Sequence, residues 1–149
     1  MHNLFTAPAY EGIVARLHTV TPADERQWGK MNVARMLEHC ARPFDVTLGR
    51  VVIKRSLLGY ILGPFFKKSY YDDSEFKHNS PTASEFVIAA DTDFEAAKAR
   101  LLANLAAFYA GGPEKCVAEY HAFFGKLTPE QWAIGMYKHL DHHLRQFGR

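Results

Sequence analysis

The stretch Thr128–Gly148 reads TPEQWAIGMYKHLDHHLRQFG. Thr128 is placed to cap a helix, Pro129 suits its first position, and Gln131 completes a capping box. Leu127 and Trp132 stand where a hydrophobic staple would put them. Together these signals predict a helix running to about Phe147. A core-facing seam on such a helix advances in alternating steps of four and three residues. From Trp132 those steps reach Met136, His139, His143 and Gln146. His139 and His143 therefore continue a buried stripe, while His142 falls on a flank beside Gly135, Lys138 and Arg145.

Two imidazoles at i and i+4 share one helix face, about 5–6 Å apart at Cβ. That spacing suits two ligands of one divalent ion, because neutral imidazole is a common metal ligand. It also suits a buried pair satisfied by hydrogen bonds alone. Two imidazoles packed together with no partner at all would be costly to bury. His39, at the edge of another apolar stripe, is the natural third ligand.

Working outward, three further helices can be read. The first begins near Pro8 and places Tyr10, Ile13, Val14 and Leu17 at helical spacing. Thr21-Pro22 reads as the start of a further short helical turn. The second main helix begins after Asn32, a capping residue, with Val33, Met36, Leu37, Cys40 and Phe44 as its stripe. Pro43 would remove the hydrogen bond to the carbonyl of His39, so this helix should kink or stop there. The third has Thr92 and Glu95 as a capping box and Phe94, Ala97, Leu101, Leu105 and Phe108 as its stripe. Gly111-Gly112-Pro113 ends it. Between the second and third lies a long connection, residues 50–90. A helical piece over 50–62 is expected, then an extended loop over 67–87 with at most a short strand. Its apolar run LLGYILGPFF, Leu57–Phe66, reads as core or as a wall facing a substrate. The whole is expected to be all-α, a four-helix bundle in a single domain over residues 1–149.

Composition narrows the function. The chain has 149 residues, 48% of them hydrophobic and 23% charged, which is ordinary for a globular domain. A net charge of +2 without a basic run gives no reason to expect a nucleic-acid or anionic-membrane partner. The ten-residue apolar run is too short to span a bilayer, and the first residues lack the apolar core of a signal peptide. The two cysteines, Cys40 and Cys116, form no CxxC pair and read as thiols in a reducing cytoplasm. No GxGxxG, P-loop or GxSxG pattern occurs.

Three stretches resemble the DinB/YfiT-like superfamily of metalloenzymes. HLDHHLRQ, His139–Gln146, resembles its fourth-helix motif. HAFFGKLTPEQW, His121–Trp132, resembles the lead-in to that helix, and WGKMNVARMLEHC, Trp28–Cys40, resembles the stretch bearing its first histidine. With SPTASEFVI, Ser80–Ile88, the likeness covers nearly the whole chain and is closest to an uncharacterised DinB-like branch. The resemblance implies a four-helix bundle in up-down-down-up order. It also implies one divalent metal ion held by His39, His139 and His143. It further implies chemistry on a small-molecule substrate, such as transfer of a low-molecular-weight thiol.

A three-histidine site leaves coordination positions open. Water there is acidified, for zinc toward a pKa of about 7. A substrate thiol would bind as thiolate, the nucleophilic form. All-imidazole ligation suits zinc, nickel, iron or copper, and zinc, nickel or iron is the expected ion. His121 is a candidate proton shuttle or substrate contact, against the plainer role of bracing a loop. Gln146 is a candidate for orienting a ligand or substrate, against a buried amide bonded to backbone. His142 and Arg145 read as a solvated flank, and Trp28, Tyr10 and Phe124 as packing residues. A thiol-dependent transferase leads. A metal-dependent hydrolase and a non-enzymatic, metal-stabilised bundle are its rivals. A homodimer formed through residues 50–90 is expected.

Overall fold

The computed structural model describes residues 1–80, 86–88 and 91–149. Among them are five helices and one small hairpin. In order they are α1 (Ala7–Thr19), α2 (Val33–Thr47), α3 (Leu57–Tyr71), α4 (Phe94–Lys115), β1 (Tyr120–His121), β2 (Gly125–Lys126) and α5 (Pro129–Gln146). The chain is thus mainly helical. Part of the expected loop over 67–87 lies outside the described residues.

Local chemistry sets most of the boundaries. Asn32 caps α2 by accepting from the Arg35 N–H. At α5 the capping box forms as read, with Thr128 accepting from the Gln131 N–H and Gln131 accepting from the Thr128 N–H. At α4 the cap is one residue later than expected: Asp93, not Thr92, accepts from the Ala96 N–H. Gly112 breaks α4 with φ of 59°, where an L side chain would be strained. Thr21-Pro22 starts no helix. Thr21 and Asp24 close a single turn through reciprocal hydrogen bonds. Pro43 does not stop α2, which runs on to Thr47. The residues beyond it are buried and tied to α4, and that packing outweighs one missing backbone bond.

Helices α1, α2, α4 and α5 surround the core. Leu17, Leu37, Phe44, Leu101, Leu105, Phe108, Met136, Leu140 and Leu144 all lie within it. Each such side chain contributes about 1.5–3 kcal/mol on burial. Nearly all of α2 is buried, and its closest neighbour is α4. A polar network fixes that pair. The Arg100 guanidinium bonds Glu38 and Asp45. Asn104 donates to the Ala41 carbonyl at 3.1 Å and to Asp45 at 3.2 Å. Arg50 donates to Asn104 at 2.6 Å. Helix α1 is held to α5 by Arg16 and Asp141 at 2.7 Å.

Helix α3 sits differently from expectation. The large side chains of the run Leu57–Phe66 are exposed and not core. The run is helical, and the helix extends to Tyr71. Its inward residues are Gly59, Gly63 and Tyr70. A Cβ at Gly63 would lie 2.1 Å from the Phe123 carbonyl oxygen, and one at Gly59 would lie 2.7 Å from that of Ala122. The helix therefore rests on the β1–β2 turn backbone to backbone. Tyr70 lies against Gly135 of α5, where a Cβ would meet its ring at 2.0 Å. The bulky apolar residues of α3 face outward.

Candidate metal centre

Two histidines come from α5 and one from α2. Along α5 the expected seam is inward: Trp132, Met136, His143 and Gln146 are buried, and His139 is half-buried among them. His39 is buried on the face of α2 toward α5. The ring centroids form a nearly equilateral triangle. His39 is 4.9 Å from His139 and 4.7 Å from His143, and those two are 4.7 Å apart. The rings meet edge to face, so their nitrogens converge rather than stack.

Hydrogen bonds decide which nitrogens are free. His39 Nδ1 lies 2.9 Å from the Phe86 carbonyl, which can only accept, so Nδ1 carries the proton and Nε2 a lone pair. The Gln146 amide donates its Nε2 to the Trp28 carbonyl at 2.7 Å, which turns Oε1 toward His143. His143 Nδ1 donates to that oxygen at 2.8 Å, leaving its Nε2 free as well. His39 Nε2 and His139 Nε2 are 2.9 Å apart. Such hydrogen bonds to the far nitrogen are the usual way a ligating histidine is oriented.

Electrostatics keep the rings neutral. Burial pushes the His39 pKa down, a backbone bond to Phe86 opposes this, and the Arg42 charge adds to it. Burial, followed by the neighbouring His143 and His39, drives His139 well below the ordinary range. His143 falls to about 3, chiefly through burial and then His39. Neutral imidazole is the ligand form.

The residues fit a cation. One ligand atom from each of the three lies within 4.8 Å of the others. Nitrogens sharing an ion at about 2.1 Å stand about 3.0–3.4 Å apart. The three residues that the sequence singled out as ligands are therefore close enough to hold one metal ion.

The other candidates divide. Gln146 touches the site and orients His143. His121 is not one of the three convergent rings, though it is near enough that its charge would lower the His139 pKa. Its Nδ1 accepts from the N–H groups of Phe123 and Phe124 at 3.1 and 3.2 Å. Its ring lies among Tyr70, Phe124 and Trp132. This is the bracing geometry, with only Nε2–H left over. Burial lowers its pKa to about 4. His142 is not a solvated flank. It is half-buried, with its ring 5.0 Å from that of His143 and 5.8 Å from that of His78. His78 stacks on Trp28 at 3.8 Å. Glu38, adjacent in sequence to His39, turns away to Arg42 and Arg100. Cys40 is core, and burial raises its thiol pKa. Two partners escaped the sequence: the Phe86 and Trp28 carbonyls. Backbone acceptors leave no side-chain signature, so nothing in the residue pattern could have found them.

No curated protein and no solved structure matches the chain. The family described as protein of unknown function (DUF1569) matches residues 5–149. The chain, with its three convergent histidines, is a member of that family.

Proposed function

We propose that the chain is a cytoplasmic, divalent-metal-dependent enzyme that transfers a small thiol to an electrophile. In this reading α1, α2, α4 and α5 form a DinB-like four-helix bundle in up-down-down-up order, and His39, His139 and His143 hold one zinc, nickel or iron ion. The observation that carries it is the pair of tautomers set by Phe86 and Gln146, which leave a lone pair on Nε2 of His39 and of His143 beside His139. The likeness of HLDHHLRQ to the DinB/YfiT-like motif supports the thiol chemistry. A divalent cation held there supplies Lewis acidity and favours the anionic form of an oxygen or sulfur nucleophile. The chain's own part is to orient the rings, keep them unprotonated and exclude competing ligands. His39 stays proton-free at Nε2 because Phe86 holds its proton at Nδ1. Gln146 does the same for His143.

Elemental analysis of protein purified without added metal tests the site. Wild type should carry about one ion per chain, and His143→Ala should carry almost none. Metal-loaded protein should turn over pairs of thiols and electrophiles, and His139→Ala should not. Turnover of esters or amides in thiol-free buffer would favour the hydrolase instead. Metal that raises stability while neither substrate class reacts would favour the non-enzymatic bundle.

A further inference from the structure

Helix α3 turns its apolar side away from the protein. Leu57 is 80% exposed, Ile61 61% and Phe65 81%, with Leu58, Tyr60, Leu62 and Phe66 exposed beside them. At 100° per residue, Leu57, Leu58, Tyr60, Ile61, Leu62 and Phe65 cover more than half of the helix circumference. The helix can afford this because its attachment needs almost no side chains. Gly59 and Gly63 seat it on the Ala122–Phe123 backbone, and Tyr70 anchors its end.

Charge within this segment is of one sign, and the two acids that follow it, Asp72 and Asp73, are paired with Lys138 and the N-terminal amine. Between Arg50 and Tyr71 the chain has five basic residues and no acidic one, against a net +2 for the whole molecule. Arg50 is turned to Asp45, and Arg55 lies over the Tyr60 ring at 3.9 Å. Lys54 precedes the helix, and Lys67 and Lys68 follow the apolar run. Among the described residues none of these three lysines pairs with an acid. The absence of an overall basic bias, which argued against a membrane partner, averages away this local asymmetry.

We propose that α3 docks on an anionic lipid bilayer, lying in the interface with its apolar arc among the acyl chains and its lysines at the headgroups. No helix of the described residues is long and apolar enough to cross a membrane, so the contact is to one surface only. An apolar arc flanked by lysines is the composition of an interfacial helix. A second copy of the chain fits less well. Antiparallel pairing about Ile61 would set Lys54 opposite Lys68 and Arg55 opposite Lys67. Parallel pairing would set each against itself. Like charges so placed are costly, whereas anionic headgroups neutralise all of them. The proposal is independent of the metal site.

Co-sedimentation with vesicles of phosphatidylcholine, with and without phosphatidylserine, tests it. Wild type should bind the phosphatidylserine vesicles and release them in high salt. Lys67→Gln with Lys68→Gln should weaken the partition by about tenfold or more. Ile61→Asp with Phe65→Asp should lower it at least as far. Both variants should keep the wild-type circular dichroism and thermal midpoint, since all four positions are exposed or half-exposed. Failure of wild type to bind at low salt overturns the proposal, as does binding that neither double variant reduces. A dimer in light scattering that Ile61→Asp with Phe65→Asp dissociates, without vesicle binding, would also overturn it and make α3 a contact between copies.

Discussion

Gln146 shows how one amide can orient a ring of the site from outside the histidine triad. Its Nε2 is committed to the Trp28 carbonyl and its Oε1 to His143 Nδ1. The loop that offers that carbonyl turns at Gly29, whose φ is 80° and where a Cβ would come within 2.4 Å of the amide nitrogen. Gln146→Ala frees the His143 ring and its tautomer. Metal affinity, read by competition with a chromophoric chelator, should fall about 10- to 100-fold. His121 predicts a pH effect instead. Its pKa is lowered to about 4 in the folded protein, so it stays neutral there while the unfolded chain binds a proton below pH 6.5. Between those values the unfolded state holds more protons, and folding stability is lost as pH falls. From pH 7 to pH 5 this one group should cost about 2 kcal/mol. Denaturant titrations should show the loss in wild type and a smaller one in His121→Gln.

At the scale of elements, glycine contacts decide where α3 sits. Gly63→Ala drives a methyl group into the Phe123 carbonyl and should cost about 1–3 kcal/mol, read by thermal or chemical unfolding. The same helix marks the limit of the sequence reading. Helix α5 was legible because capping box, staple and seam are all local signals, and they placed His139, His143 and Gln146 on the inward side. For α2 the stripe placed His39 toward the core, yet it could not foretell that the residues after Pro43 are held by α4. In α3 the usual rule points the wrong way. Apolar residues are read as buried, but this helix buries its glycines and exposes its Leu and Phe residues. The β1–β2 hairpin also went unread, because two residues per strand carry no period.

Across the whole molecule, metal and fold should be linked. The ligands come from α2 and α5, far apart in sequence, so an ion bridging them binds the folded chain and not the unfolded one. At a free concentration 100 times its dissociation constant, the ion should stabilise the protein by about 2.7 kcal/mol. Differential scanning fluorimetry should show that rise with wild type and none with His143→Ala. An ion that fixed the His39 ring would also fix its hydrogen bond to the Phe86 carbonyl.

The way α3 is fastened separates two kinds of mutational tolerance along fifteen residues. Apart from the Tyr70 anchor its seat is main chain against main chain, and it forbids side chains larger than hydrogen at Gly59 and Gly63. A saturation screen scored on folded yield would reject alanine at Gly63 and accept nearly any polar replacement at Leu57, Ile61 or Phe65. Selection on yield alone would therefore strip the greasy outer arc within a few rounds and leave a better-behaved protein that no longer has it.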